Sequence, residues 1–394
     1  SEATCPEGTS RCTRRSHEIV AISMHPDSHD YPDWTWPTPR SAYVHVPFCR
    51  HRCGYCNFSV IADRDDLVQP FLTAIDRELE QLDRPQIDTL FLGGGTPTHL
   101  SVSQLEWLLK QIELRFELTD QAERSVEANP EDIDEQKLRV LADHGINRIS
   151  LGVQSFNPSK LKLLERSHTA AQASAAIELA AKWIGNVSID LIFAAPQETV
   201  SDWRADLQTA LDLPIDHLST YALTFEKGTA FWTAKRAGRL DGVDEASEVA
   251  MYMMTRELSS AQGLNHYEIS NFARDGFRCR HNLAYWQGRG WYAAGPGAAR
   301  FVGGHREVNH RSTTTYLKRM ERNESPVAES DAITPLQYAR ERAAFGIRMI
   351  DGIDIEALAR ETKINLQQEC GDAIEKSIAQ GLLERQGSHI RLSE

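Results

Sequence analysis

The sequence predicts an α/β fold: an incomplete, TIM-like (β/α)6 barrel followed by a smaller α+β domain of winged-helix type. Three observations predict it. Six short apolar runs each lead into a loop and then a helical stretch, an alternation that argues for a parallel sheet; eight such units would close a full barrel. The unusual polar and glycine-rich residues fall at the ends of those runs, where βα barrels carry their chemistry. The chain then finishes as helix, helix, helix, hairpin.

Residues 1–40 carry Pro6, Pro26, Pro32, Pro37 and Pro39 without sustained periodicity, and read as an irregular extension. Cys5, Cys12, His17, His25 and His29 lie there, but in no recognised ligand spacing. The barrel is expected over 41–230. Its first strand is 42–46, and a helix over 67–82 shows Phe71, Leu72, Ile75 and Leu79 at helical spacing. The second strand, 89–92, ends in Gly93-Gly94-Gly95-Thr96-Pro97-Thr98. Ser101 and Gln104 are placed to form a capping box for a helix over 104–115. The third strand, 124–128, ends in Asn129-Pro130, read as N-cap and first helical position. The fourth, 148–153, ends in Gln154-Ser155-Phe156, and Asn157-Pro158 repeats the helix start. The fifth, 187–193, ends in Ala194-Ala195-Pro196, and the sixth is 217–222.

Residues 231–330 form a less regular connecting region, with a helix over 245–261 and a run from His281 to Phe301 rich in glycine and aromatics. In 331–394, helices are expected over 336–348, 355–361 and 366–380, then a hairpin of 382–385 with 389–392. No short fixed repeat is present.

Bulk properties narrow the function. A net charge of −13 argues against a nucleic-acid surface, and the winged-helix-like end is not notably basic. It reads as a protein-contact or covering module. Seven cysteines in 394 residues are no disulfide framework, and a reducing cytoplasmic compartment fits them. No apolar run approaches the roughly 20 residues that span a bilayer, and the apolar run 19–22 is too short for a signal-peptide core. Peripheral membrane contact through a partner stays compatible with this.

The chemistry begins in the loop after the first strand, where Cys49, Cys53 and Cys56 stand at Cys-x3-Cys-x2-Cys spacing. Three closely spaced thiolates can hold three irons of a [4Fe–4S] cluster and leave the fourth iron free for a small molecule. A zinc site wants four ligands, usually in paired groups, and no fourth cysteine follows nearby. Consecutive glycines at 93–95 let backbone approach a ligand closely, although such a run can also be a tight turn. Asp190 lies within the apolar run Ile189-Asp190-Leu191-Ile192-Phe193 and needs a partner or ligand if buried. Arg166 offers a cation for a carboxylate, unless it lies on a solvated helix face. His281 with Tyr285 and Trp286 suits a flat apolar ligand, imidazole to iron and rings to stack, or else is a packing motif joining barrel and C-terminal domain. No side chain is singled out as catalytic.

In order and spacing, these stretches resemble the HemN/HemW family of radical SAM proteins. The resemblance rests on Tyr-x-His-x-Pro-Phe-Cys from Tyr43, Gly-Gly-Gly-Thr-Pro-Thr from Gly93, Glu-Ala-Asn-Pro from Glu127, Gly-Val-Gln-Ser-Phe from Gly152 and Ile-Asp-Leu-Ile from Ile189. It implies a [4Fe–4S] cluster on Cys49, Cys53 and Cys56. It implies S-adenosylmethionine contacts at Tyr43, Gly94, Gly95, Thr96, Glu127, Gln154, Arg166, Asp190 and Ala222. In this family the cluster's electron cleaves S-adenosylmethionine to a 5′-deoxyadenosyl radical.

Two roles occur in such families. Oxygen-independent coproporphyrinogen III oxidases decarboxylate porphyrinogen propionates and carry a further cysteine two positions after the third cluster ligand; here that position is Phe58. HemW-type haem chaperones have Cys-x-Phe, as in Cys56-Asn57-Phe58, and a His-Asn-x-x-Tyr-Trp motif, as from His281 to Trp286. The resemblance therefore implies a chaperone that carries haem, or another tetrapyrrole, to haem-accepting respiratory proteins. His281 becomes a candidate haem ligand, and Cys279 a less favoured one. The alternative is a coproporphyrinogen oxidase-like enzyme of porphyrin biosynthesis. The chain departs from the family in having Ala194-Ala195-Pro196 where Gly-Leu-Pro is common, and Pro296 within the glycine-rich segment Ala294–Ala298.

Overall fold

A computed structural model describes residues 34–393. The cysteines and histidines of the first 33 positions lie outside the described residues. Six strands, β1 (Ser41–Val46), β2 (Gln86–Gly94), β3 (Glu117–Ala128), β4 (Arg148–Gln154), β5 (Val187–Phe193) and β6 (His217–Ala222), lie side by side in chain order and run parallel. β1, β5 and most of β4 are buried nearly throughout. This is the pattern of a parallel sheet covered on both faces.

The helices between the strands supply that cover. Helix α1 (Val68–Leu79) buries Phe71, Leu72, Ile75 and Leu79, the stripe its spacing predicts. The capping box at Ser101 and Gln104 is present and opens α2 (Val102–Arg115). Asn157 caps α4 (Pro158–Leu163), its side chain accepting from the backbone of Ser159 and Lys160. Asn129 does not act this way. Pro130–Asp132 is a single 3-10 turn, and α3 (Glu135–Asp143) starts only after its own cap, Asp134. The Asn129 side chain is engaged in the site described below.

The region read as irregular proves to complete the sheet at both edges. Strands β7 (Asn265–Glu268) and β8 (Asn271–Ala273) form an antiparallel pair, β8 lying against β6. The chain then crosses to the far edge. There β9 (Trp291–Ala294) pairs parallel with β1, and β10 (Ala299–Val302), β11 (His305–Asn309) and β12 (Val327–Ala332) follow antiparallel. The result is one 12-stranded sheet whose six central strands are the expected barrel. The short, mixed strands of 265–332 carry no clean alternation, which is why their sequence shows no rhythm.

The C-terminal segment has helices Pro335–Gly346, Ile355–Thr362 and Leu366–Ala379, with the hairpin Leu383–Gln386 and His389–Leu392 joined by a short third strand, Ile353–Asp354. This is the expected winged-helix-like arrangement.

Candidate functional site

The cysteine loop leaves the C-terminal end of β1 and is tied down at several points. Phe48–Cys49 pairs with Ile61–Ala62 and closes the loop at its base. The backbone N–H of Cys56 donates to Cys53 O at 3.0 Å, making a tight turn. Gly54 lies within that turn, where a Cβ would fall 2.7 Å from the ring of Phe231. The backbone N–H of Phe231 also donates to Gly54 O at 2.9 Å, so helix Ala230–Arg236 braces the loop from outside. Burial pushes the Cys49 thiol up to about 12 and raises that of Cys56. Neither forms a stable thiolate there without a compensating cation.

The glycine run extends β2 against this loop. Gly95 N donates to Val46 O at 2.8 Å, and Thr96 N to Phe48 O at 2.7 Å. A Cβ on Gly95 would lie 2.6 Å from Phe48 O, and one on Gly93 would lie 2.7 Å from a Glu127 carboxylate oxygen. Only glycine permits this approach. Thr96 Oγ1 lies 3.6 Å from Cys49 Sγ and accepts from Asn129 Nδ2 at 2.7 Å. Asn129 Oδ1 accepts from Arg166 Nη2 at 2.6 Å, and Arg166 Nη1 lies 3.6 Å from Cys53 Sγ. A polar circuit thus runs from Cys49 through Thr96, Asn129 and Arg166 to Cys53. Arg166 also donates to Gly152 O at 2.9 Å, while its Nε is buried with no partner among the described residues.

At the end of β3, Glu127 accepts from Gly94 N at 2.9 Å. Burial, with the neighbouring Asp190 carboxylate, raises its pKa to about 7. Asp190 on β5 is raised by burial and steadied by hydroxyls, Ser150 Oγ donating at 3.1 Å and Ser219 from β6. The partner required for a carboxylate in an apolar strand is therefore present. Gln154 ends β4 with φ +66, a conformation that costs a non-glycine residue about 1 kcal/mol.

Two cavities meet at these residues. A cavity of about 150 Å³ is lined by Cys49, Cys53, Cys56, Gly94, Gly95, Thr96, Glu127, Gln154, Arg166 and Asp190 among others. A larger one, about 590 Å³, shares Cys56, Glu127, Gln154 and Asp190 and continues to Ala222, Phe58 and Tyr221. The sequence-predicted residues thus gather in one place, with two exceptions. Tyr43 belongs to neither wall: its hydroxyl is 3.0 Å from His45 Nδ1 and its ring stacks on Phe91. His281 lies apart. Among the described residues, no group of three or more His, Cys, Asp or Glu side chains converges tightly enough for a single metal ion. A cuboidal cluster instead takes each thiolate on a different iron.

His281, read in the sequence either as a haem ligand or as a packing residue, sits in a buried hydrogen-bond and stacking network. It is buried on the helix Arg280–Trp286. Its Nδ1 lies 2.9 Å from Thr89 Oγ1, its Nε2 lies 2.8 Å from Tyr285 OH, and its ring stacks on Phe91. Burial pushes its pKa down to about 3. Both nitrogens thus have a hydroxyl within hydrogen-bond distance. Cys279 is equally buried, its thiol 3.5 Å from Glu123 Oε1.

Sequence reasoning did not single out Asn129, Ser150 or Ser219 as site residues. Asn129 was legible in Glu-Ala-Asn-Pro, but its local role as a helix cap was the simpler assignment. The serines carry no sequence signal beyond their place near strand ends.

The model of the radical SAM superfamily matches residues 43–210, and that of the HemN C-terminal domain matches 333–394. The chain is 34% identical over 357 residues to the heme chaperone HemW of Lactococcus lactis, covering 90% of this chain and 94% of the relative. It is 35% identical to the heme chaperone HemW of Mycobacterium tuberculosis, covering 90% and 91%. It is 33% identical to mouse radical S-adenosyl methionine domain-containing protein 1, mitochondrial, covering 88% and 84%. Among solved structures, coproporphyrinogen III oxidase HemN from Escherichia coli, a radical SAM enzyme, matches at TM-score 0.79 and 21% identity over 91% of this chain and 87% of that one. That likeness is one of fold.

Proposed function

This chain belongs to the HemN/HemW family of radical SAM proteins, and on that premise we propose that it is a haem chaperone, which binds haem and delivers it to haem-dependent respiratory enzymes. The observation that carries the reading is the sustained similarity to proteins named as haem chaperones, over nine-tenths of both chains. We place it in the cytoplasm. No helix among the described residues is long and apolar enough to cross a membrane, so contact with membrane-bound recipients would be peripheral.

A [4Fe–4S] cluster and S-adenosylmethionine fit the residues present. Cys49, Cys53 and Cys56 supply three thiols on one braced loop. Gly94 and Gly95 line the cavity beside it, and the Arg166 Nε is a buried donor with no acceptor among the described residues. When bound, the cluster supplies one electron for cleavage of the sulfonium's carbon–sulfur bond. The chain's own residues bind and orient. Gly94, Gly95 and Thr96 present backbone at close range, Glu127 takes hydroxyl donors, and Gln154, Asp190 and Ala222 wall the remainder. Arg166 offers the charge for a carboxylate, and Tyr43 supports the floor through His45 and Phe91.

The charge of the larger cavity supports the chaperone over the oxidase. Its lining includes Glu127, Asp190 and Glu226 but no lysine or arginine, and the exposed Phe58 stands at its edge. A porphyrinogen with several carboxylates would call for cations there.

The test is anaerobic. Reconstituted, reduced protein is mixed with S-adenosylmethionine and coproporphyrinogen III, and in parallel titrated with haemin. Stoichiometric haemin binding with unchanged porphyrinogen is expected. Loss of two carboxyl groups with matching 5′-deoxyadenosine would make the protein an oxidase instead.

A further inference from the structure

A second large cavity, about 650 Å³, lies away from the cysteine loop. Its volume is that of small-molecule sites, about 300–1,000 Å³. The segment before β1, the turn after the helix Arg280–Trp286 and the C-terminal helices wall it, and its chemistry is the reverse of the barrel mouth. Arg40, Arg289 and Arg342 line it, together with Trp34, Trp286 and Tyr338. We infer that this cavity is the binding site for the tetrapyrrole cargo, with the Met349 thioether facing the iron and Arg289 and Arg342 taking the two propionates. The inference rests on the haem-chaperone reading above.

The site is built rather than incidental. Arg342 Nε donates to Gln287 O at 2.9 Å, and its guanidinium lies 5.7 Å from the centre of the Tyr338 ring. Gly288 makes this possible: a Cβ there would come within 2.5 Å of Arg342 Cγ. Trp34 and Trp36 pack edge-on against Tyr338 at 5.7 and 5.4 Å. The Trp34 indole N–H is buried with no partner among the described residues, a donor available to a carboxylate.

Two acids also line the cavity, and both are engaged. Asp354 caps helix Ile355–Thr362, accepting from Glu356 and Ala357 at 3.0 Å, and Glu361 pairs with Arg342 at 2.7 Å. Arg40 is held by Asp88 at 2.9 Å. Arg289 makes no side-chain hydrogen bond or ion pair among the described residues, and stands exposed at the rim. Aromatic side chains in the wall, a free cation and a half-neutralised one suit a planar ring carrying two carboxylates. The lining has no histidine or cysteine, so Met349 is its soft donor for iron, and thioethers are established axial ligands. A weak ligand also suits a cargo that must leave.

The experiment titrates cluster-loaded full-length protein with haemin, following the Soret band, in the wild type, Arg289→Ala and Met349→Leu. Haemin dimethyl ester, which lacks the carboxylates, is titrated alongside. Arg289→Ala is expected to weaken haemin about tenfold, as for one lost charged contact, and to leave ester binding unchanged. Met349→Leu is expected to shift the Soret band. Arg289 is exposed, so its loss leaves the fold intact. Wild-type binding that neither variant alters would overturn this site and leave the chaperone reading standing. A wild type that binds no haemin would overturn both.

Discussion

Asn129 Nδ2 donates to Thr96 Oγ1 at 2.7 Å, joining the third strand end to the glycine cradle of the second. Through its other amide atom the same side chain holds Arg166, and through these two neighbours it reaches both Cys49 and Cys53. One amide thus ties together groups on three other segments, the cysteine loop, the glycine cradle and the Arg166 turn, that lie far apart in sequence.

Asn129→Ala should therefore loosen the site without touching a cysteine. Removal of such supporting groups commonly costs 10–100-fold in affinity at metal centres. A loss of that order in S-adenosylmethionine affinity, with near-normal iron content, is expected by equilibrium binding and iron assay. Unchanged affinity would show that the circuit is dispensable.

Glu127 makes stability depend on pH. Its carboxyl is raised to about 7 in the fold, whereas in the unfolded chain it titrates near 4.5. Between these values the folded state keeps a proton that the unfolded state has released. Stability from this group is therefore present at low pH and lost as pH rises toward 7, at about 1.4 kcal/mol per unit. Urea unfolding of the ligand-free protein at pH 5 and pH 7 should show a fall of about 2 kcal/mol relative to Glu127→Gln. S-adenosylmethionine, whose hydroxyls need the ionised form as acceptor, should bind more tightly as pH rises through the same window.

Gly95→Ala places a Cβ against Phe48 O, a backbone atom that cannot swing aside. A shift of the loop base is forced, with a destabilisation of about 2 kcal/mol, as for overpacked cores. Thermal unfolding measures this, and iron content should fall with it because Cys49 follows directly. Gly185→Ala, where nothing lies within 4 Å of the added carbon, is the matched control.

Lys160 is buried between Glu198 and Asp206, 3.2 Å from the latter, with its ammonium over the Trp203 ring. Asp206 also accepts from Ser155 and from Phe156 N, so this network holds the turn that follows Gln154. Lys160→Met leaves two buried carboxylates without their cation and should cost about 3–5 kcal/mol by urea unfolding.

Much of this was legible in the sequence. The six parallel strands announced themselves through short apolar runs bounded by caps and turns, and the cluster loop through spacing that other cysteine roles do not need. Ser101 and Asn157 capped as their neighbours implied. What escaped was decided by tertiary contacts. Asn129-Pro130 has the form of a helix start, but Thr96 and Arg166 outbid the local backbone for its amide. The sequence left His281 between a haem ligand and a packing residue because the hydroxyls of Thr89 and Tyr285, which lie beside its two nitrogens, come from elsewhere in the fold and from the same helix. The sheet edges at β7–β12 were hidden because their strands are short and, apart from the parallel pairing of β9 with β1, pair antiparallel outside the strand–helix rhythm. Ala194 shows the sequence pattern in reverse. Its φ of +58 explains why glycine is common at that place in the family, and the alanine here accepts the strain.

The pairing of β1 with β9 sets an order of events during synthesis. Val44 finds its partner in Ala294, 250 positions later in the chain. At translation rates of about 5–20 residues per second, β1 is made some 12–50 s before the strand that covers its outer edge exists. Through that interval the segment bearing the three thiols borders an open strand edge, the kind of surface that templates unwanted pairing. A nascent chain paused short of residue 290 should be held by chaperones or aggregate, and iron loading should become stable only once β9 has left the ribosome.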